Sequence, residues 1–290
     1  MRTRRSLLAG MALAPVAAVA AERVPVVATM SILADMTRAV GADALAVSAL
    51  VPPDGDPHVF TPRPSDVRRV QAARVLVENG LGLEGWIDRL RGAAAFAGVR
   101  VIATQQVAPR SFVEDGRAAT DPHAWQDPRN GVLYARAIAA GLGRAGLTAP
   151  GADAYAAQIA ETDRWIAATI GRVAPTKRKI VTSHDAFGYY GARYGIELHF
   201  VEGISTDSEP SARQMAQLVR DIRREGIRAV FIEKMTDPRL VEMVARETGV
   251  TVGAAVYSDA LSPPGGPADT YLNMLRHNTA AFAAAMMTND

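Results

Sequence analysis

From Val24 onward, the chain alternates short runs of β-branched residues with amphipathic helical patterns, and this alternation limits the folds open to it. One block contains the strand-like runs VPVVATM, LAVSALV, ARVLVENG and VRVIATQ, and a later block contains RKIVTS, IELHFVE, RAVFIEK and TVGAAVYS. Helical patterns such as SILADMTRAV and PSARQMAQLVRDIRREG separate them. Alternating strands and helices form mostly parallel sheets with helices on both faces. The sequence therefore predicts an α/β fold with two lobes.

The segment between the two blocks, residues 149–175, has a helical pattern over most of its length, and prolines lie only near its two ends. A flexible linker would instead be rich in glycine and serine. We therefore predict an N-terminal α/β lobe at residues 22–148 and a C-terminal α/β lobe at residues 176–290. A single long, rigid helix at residues 149–175 is expected to join the two lobes.

Residues 1–21 have the layout of a secretory signal peptide: arginines, then a short apolar run, then small residues. The whole chain has 32 basic and 30 acidic side chains, and three arginines lie in this leader. The exported protein is then close to neutral, which gives no support to nucleic-acid binding. Cysteine is absent, so we expect neither disulfides nor a lipid-modified cysteine. These features predict a soluble periplasmic protein.

Four side chains with metal-binding chemistry follow the predicted strands. The tripeptide DPH occurs twice: it places His58 after the second strand and His123 in the loop after a strand that ends near Thr104. His184 directly follows RKIVTS, and Asp259 directly follows TVGAAVYS. Open α/β sheets bind ligands beyond the carboxyl ends of their strands, so we expect these side chains to meet in a cleft between the lobes. Three imidazoles and one carboxylate suit a four-coordinate divalent first-row metal.

Three further residues are less well placed. His199 lies inside IELHFVE and His277 lies in the last helical pattern, and we interpret them as a strand-packing and a surface residue. Glu233 ends a strand of the second block. Two interpretations remain open for Glu233: it orients a ligand imidazole from outside the metal shell, or it forms a surface salt bridge.

The motifs GDPHVFTPRPSD, TDPHAWQDPRN, VTSHDAFGYYGARYGIE and YSDALS, in this order, resemble the periplasmic zinc- and manganese-binding receptors of ABC importers. The resemblance covers nearly the whole exported chain. It implies two lobes joined by a rigid helix, with the metal held between them by His58, His123, His184 and Asp259. In manganese-binding members the third of these positions is commonly glutamate, so histidine there favours Zn²⁺, with Mn²⁺ as the alternative.

The resemblance also implies the partners. A receptor of this kind is a monomer that delivers its metal to the membrane permease of an ABC importer, and a periplasmic metallochaperone is a further candidate partner. Many zinc receptors of the family carry a long loop rich in histidine and acidic residues between the first two ligand positions. The corresponding segment here, QQVAPRSFVEDGRAAT, has no histidine and only Glu114 and Asp115 as acids, which argues against a scavenging loop.

Two other functions compete with a metal receptor. A zinc-dependent hydrolase usually leaves one metal position open for water, whereas four protein ligands fill a tetrahedral site, and the chain contains neither HExxH nor GxSxG. We therefore do not expect an enzyme. A receptor for an organic ligand such as a siderophore shares the two-lobe plan, but it gives no reason for three histidines at strand ends.

Overall fold

The computed structural model describes residues 23–114, 117–207 and 210–289. The predicted leader, residues 1–21, lies outside the described residues. Within the described part of the chain, no helix has the length and apolar character needed to cross a membrane.

The first lobe is built on a four-stranded sheet in which all neighbouring strands are parallel, with the order β2-β1-β3-β4. Its elements are β1 (Val24–Met30), α1 (Ser31–Gly41), β2 (Leu45–Val51), α2 (Pro64–Ala72), β3 (Val75–Glu78), α3 (Ile87–Ala93), β4 (Val99–Ile102), β5 (Arg110–Glu114), β6 (Arg117–Asp121) and α4 (Pro128–Arg144). The inner strand β3 is completely buried, as expected for a parallel sheet covered on both faces.

The second lobe repeats this plan. After α5 (Ala152–Ile170), its elements are β7 (Lys179–Thr182), α6 (Gly188–Tyr194), β8 (Glu197–Phe200), α7 (Ala212–Glu225), β9 (Ala229–Val230), α8 (Pro238–Thr248), β10 (Thr251–Val252) and α9 (Tyr271–Met286). The sheet order is β10-β9-β7-β8, again all parallel. Read in the opposite direction, from β8 to β10, the order is second, first, third and fourth strand of the lobe, which is the same order as in the first lobe. The predicted α/β class with parallel sheets flanked by helices is confirmed.

Two predictions about strands need correction. Between β4 and His123 the chain forms an antiparallel hairpin, β5–β6, where the sequence suggested only a loop. The hairpin has few apolar side chains, so its pattern resembles that of a loop. The strands β9 and β10 have only two residues each, and beyond them a single bridge joins Glu233 to Val256. Gly253, directly after β10, lies against the ring of Phe231, where a Cβ atom would come within 2.7 Å of the ring.

The helix between the lobes is shorter than the predicted segment 149–175. Helix α5 has 19 residues, which corresponds to a length of about 28 Å. It begins after Gly151, where a Cβ atom would lie 1.9 Å from the carbonyl oxygen of Ala39, so only glycine allows this close approach to α1. It ends at Gly171 and a short turn leads into β7. Helix α5 packs against α1 and α4 of the first lobe and against α9.

The main apolar core extends from the first lobe into the second. It includes the strand residues of the first sheet, passes Trp125 and Tyr134, and continues to Phe187, Phe231 and Phe282. The rings of Phe187 and Phe231 both contact Phe282 edge to face, with centroids 5.2 and 5.0 Å apart. A smaller core under α7 and α8 belongs to the second lobe alone. The two lobes are therefore joined by packed apolar side chains as well as by α5.

Candidate metal centre

The four residues predicted to bind metal lie together between the lobes, and we call them the metal cluster: His58, His123, His184 and Asp259. One ligand atom from each lies within 4.8 Å of every other. His58 follows β2, His184 follows β7, and Asp259 follows the bridge beyond β10, as expected. His123 follows the hairpin strand β6 rather than β4, which corrects the predicted loop. His199 and His277 contact Glu197 and the carbonyl of Ala255 instead.

The spacing of the cluster fits a small tetrahedral ion. Asp259 Oδ2 lies 3.1 Å from His58 Nε2, 3.3 Å from His184 Nε2 and 3.7 Å from His123 Nε2. His58 Nε2 and His123 Nε2 are 3.2 Å apart. Zinc bonds of about 2.0–2.1 Å in tetrahedral geometry separate neighbouring ligand atoms by about 3.3 Å. His184 Nε2 and Asp259 Oδ1 are buried, and neither has a hydrogen-bond partner within the described chain. The donor set and its spacing therefore fit a divalent metal.

The two DPH motifs have the same local geometry. In each, the aspartate accepts a hydrogen bond from the backbone N–H of the histidine two residues later: Asp56 Oδ1 from His58 at 2.8 Å and Asp121 Oδ1 from His123 at 2.9 Å. This is an Asx turn, and the intervening proline fixes its own φ angle. The tripeptide is repeated because it points an imidazole in a defined direction from the end of a strand.

Asp121 also orients the ring of His123. Its Oδ1 lies 2.9 Å from His123 Nδ1, which leaves Nε2 directed towards the centre of the cluster. Its Oδ2 accepts a hydrogen bond from Arg110 at 3.0 Å. A Cβ atom at Gly188 would lie 2.2 Å from the Arg110 guanidinium and 2.6 Å from Asp121 Oδ2, so a larger residue at this position of helix α6 would force the pair to shift. Sequence reasoning missed the role of Asp121, although its place within the DPH motif was a usable signal.

Glu233 plays the corresponding part for His184. Its Oε1 accepts a hydrogen bond from the backbone N–H of His184 at 2.8 Å, and its Oε2 lies 2.6 Å from His184 Nδ1. Glu233 is completely buried, so its interpretation as a surface salt bridge is wrong. Carboxylates that contact the second nitrogen of a ligand imidazole fix its tautomer and raise its basicity. Two of the three histidines therefore have such a carboxylate.

A buried amide supports the His123 loop from behind. Asn79 Nδ2 donates to the carbonyl of Pro122 at 2.9 Å, and Asn79 Oδ1 accepts a hydrogen bond from Tyr134. The Asn79 backbone N–H donates to the buried carboxyl of Glu84. The sequence analysis did not single out Asn79. Its position directly after β3, at the same sheet edge as the ligands, could have identified it as a residue near the metal cluster.

The cluster is strongly charged when it holds no metal. Burial opposes protonation of His123, but the carboxylates of Asp259 and Asp121 outweigh this effect and raise the pKa of His123 to about 9. Burial likewise opposes protonation of His184, yet Glu233 and Asp259 raise its pKa well above the usual value. Burial would raise the pKa of Asp259, but the two imidazoles lower it well below its usual value. Near neutral pH the cluster therefore holds protons in place of a metal.

Metal binding is expected to release protons and to strengthen as pH rises. A ligand imidazole must be neutral, so the protons on His123 and His184 compete with the metal at every pH below their raised pKa values. The affinity should increase by up to about tenfold per pH unit at pH values below about 9, where His123 is protonated, and His184 should add to this dependence because its pKa is also raised. Calorimetric titration with zinc at pH 7, in buffers of different ionisation enthalpy, measures the protons released. Binding without proton release at pH 7 would contradict this charge state.

Comparison with known proteins gives the family. The family described as zinc-uptake complex component A, periplasmic, matches residues 26–285. The chain belongs to this family. It is the substrate-binding protein of a metal ABC transporter. Both the metal cluster between its lobes and its curated relatives support this role. The expected resemblance to metal-binding receptors of ABC importers is confirmed.

Individual relatives of this substrate-binding protein are named for different metals. The manganese-binding lipoprotein MntA of Halalkalibacterium halodurans is 30% identical over 271 residues, covering 91% of this chain and 89% of MntA. The iron ABC transporter substrate-binding lipoprotein MtsA of Streptococcus pyogenes is 29% identical, covering 89% and 87% of the two chains. The periplasmic zinc-binding protein TroA of Treponema pallidum is 26% identical with a TM-score of 0.85, covering 91% and 99%. Family membership therefore establishes a metal receptor without selecting the metal.

Proposed function

We propose that this substrate-binding protein carries Zn²⁺, bound by the metal cluster. The observation that carries the proposal is the convergence of three imidazole nitrogens and one carboxylate oxygen at separations near those of a tetrahedral zinc site. Nitrogen-rich, four-coordinate sites suit zinc, whereas manganese favours oxygen ligands and higher coordination. The third position, His184, supplies nitrogen where a glutamate would supply oxygen.

The proposed cycle takes place in the periplasm. The leader-like residues 1–21 support export, and the substrate-binding protein works with the membrane permease of an ABC transporter. We place the boundaries of its lobes at residues 22–148 and 176–290, with the connecting segment between them. The proposed working unit is a monomer, since each chain supplies all four metal-binding side chains. Loading by a periplasmic metallochaperone stays a prediction.

The test of the proposal is metal uptake by protein that has been refolded in the presence of a chelator. We expect one zinc ion per chain after gel filtration, and competition with chelators of known affinity should give the dissociation constant. The same sample should hydrolyse neither ester nor peptide substrates, because four protein ligands leave a tetrahedral zinc without a position for water. A zinc content near zero would refute the proposal, and zinc-dependent turnover would favour the hydrolase.

The structure also predicts how far the lobes move when the metal is bound or released. The apolar core crosses the boundary between the lobes, and α5 packs against elements on both sides. Opening a wide hinge would expose this packed surface to water. We therefore expect small-angle X-ray scattering profiles with and without zinc to superimpose closely. A change in radius of gyration of several ångströms would contradict the shared core.

A further inference from the structure

The metal cluster is buried, and only His58 keeps a small exposed fraction. The side chains of His123, His184 and Asp259 are fully buried, whereas 6% of the His58 side chain is exposed. The exposed side of the cluster is therefore the side of the His58 loop. His58 is thus the member of the metal cluster nearest to solvent, and the contacts that hold its loop bear on the release of the ion.

The carboxylate of Asp56 joins the His58 loop to the opposite lobe. Asp56 Oδ1 accepts a hydrogen bond from the backbone N–H of His58 at 2.8 Å. Its other oxygen, Oδ2, accepts a hydrogen bond from Thr206 Oγ1 at 2.6 Å. Thr206 lies in the connection between β8 and α7 of the second lobe. The same side chain thus fixes the direction of His58 and joins the two sides of the cleft.

The second DPH motif shows that this connection is not a general property of the tripeptide. The corresponding aspartate, Asp121, directs its Oδ2 to Arg110, which belongs to the hairpin of its own lobe. The side chain of Asp121 thus makes its hydrogen bonds within the first lobe, whereas the second lobe contacts this motif through Tyr189, whose hydroxyl donates to the backbone carbonyl of Asp121. Among the described residues, the aspartate Oδ2 accepts a hydrogen bond from the other lobe in the first DPH motif but not in the second.

Two further hydrogen bonds hold the backbone of the His58 loop. Trp86 Nε1 donates to the carbonyl of Pro57 at 2.8 Å, which ties the loop to its own lobe. Asp54 N–H donates to the carbonyl of Leu261 at 3.0 Å, which joins the base of the loop to the segment after Asp259. Neither contact involves the side chain of Asp56. Loss of the Thr206 hydrogen bond would leave the Asp56 carboxylate without its contact to the second lobe, so that the His58 backbone N–H would be held from its own lobe alone.

We propose that Asp56 and Thr206 form a latch that slows metal release by holding His58 in place. This inference rests on the proposed zinc receptor and adds a positioning role for two residues outside the ligand set. The latch acts on the closed site, so its loss should change the dissociation rate more than the association rate. Separation of the two loops by contact with the importer would break the latch and free the ion.

The test compares zinc release from the unchanged protein and from Thr206→Val, which keeps the shape of the side chain and removes its hydroxyl. Zinc-loaded protein is mixed with an excess of a chelating indicator in a stopped-flow instrument. We expect dissociation to become about tenfold faster in Thr206→Val, as for the loss of one hydrogen bond to a charged group, with a nearly unchanged association rate. Thr206→Ser retains the hydroxyl and should release zinc at the original rate.

Thr248→Val is the matched control, since the Thr248 hydroxyl donates to the carbonyl of Val244 within its own helix, away from the metal cluster. It should leave zinc release unchanged, and the metal-free melting temperature should be the same for Thr206→Val and the unchanged protein. An unaltered dissociation rate in Thr206→Val would show that the latch proposal is wrong. If the unchanged protein still takes up zinc in that case, the proposed function stands. Equal acceleration in Thr206→Ser or Thr248→Val would also overturn the latch. No zinc uptake by the unchanged protein would overturn both.

Discussion

Replacing His123 with alanine is expected to weaken zinc binding by about 100-fold or more. Zinc binding in structural sites contributes about 10–16 kcal/mol, or about 3 kcal/mol for each of four ligands, and about 1.4 kcal/mol corresponds to a tenfold change. The alanine variant must replace a buried nitrogen with water, and it leaves Asp121 without its imidazole partner. His58→Ala and His184→Ala should lose affinity on the same scale. Competition with a zinc chelator at fixed pH measures the change.

The effect of Asp259→Ala should be smaller, because water replaces a carboxylate oxygen more readily than it replaces an oriented imidazole. The matched control is His199→Ala, since His199 lies on β8 beside Glu197 and outside the metal cluster. Its affinity should equal that of the unchanged protein. A loss in His199→Ala as large as in His123→Ala would show that the ligand set is wrong.

Zinc should raise the melting temperature far more than manganese at the same free concentration. A ligand present at a thousandfold excess over its Kd stabilises the native state by about 4 kcal/mol. For a chain of this size, each kcal/mol shifts the melting temperature by about 2 °C, so zinc should raise it by about 8 °C or more. Affinity at a common nitrogen and oxygen site increases from manganese to zinc, and the three imidazoles strengthen this preference. Differential scanning calorimetry in metal-buffered solution measures both shifts.

The His184→Glu variant is the control for this preference. It exchanges a nitrogen donor for a carboxylate that can supply one or two oxygens, at the position where the two classes of receptor are expected to differ. Stabilisation by zinc should fall and stabilisation by manganese should rise relative to the unchanged protein. If manganese stabilised the unchanged protein as much as zinc does, the zinc assignment would be wrong.

The main elements of the fold were predictable from local pattern. The β-branched runs of the first lobe coincide with β1 to β4 because parallel strands covered by helices on both faces are rich in apolar residues. The hairpin β5–β6 was not predictable, since it is held by the ion pair of Arg110 with Asp121 and by contact with α6, which lies far along the chain. The true ends of α5 likewise depend on the close approach of Gly151 to α1.

The metal cluster was predictable for a different reason. Each member lies at the end of a strand or just beyond, and the topology of parallel sheets brings such positions together. The supporting contacts were not predictable in the same way. Glu233 and His184 are 49 positions apart in the sequence, and Thr206 and Asp56 are 150 positions apart. These contacts therefore depend on how the whole molecule packs. Sequence spacing identifies the residues that point into the cleft, but it does not identify what holds them.

The apolar core that crosses between the lobes ties the start of metal capture to the completion of folding. A chain that has folded only its first lobe presents two imidazoles, and a chain that has folded only its second presents one imidazole and one carboxylate. Either pair competes poorly for zinc, because two ligands cannot enclose the ion. The rings of Phe187, Phe231 and Phe282 pack in the core that both lobes share. A newly made molecule therefore begins to capture its metal only when both halves have assembled around that core.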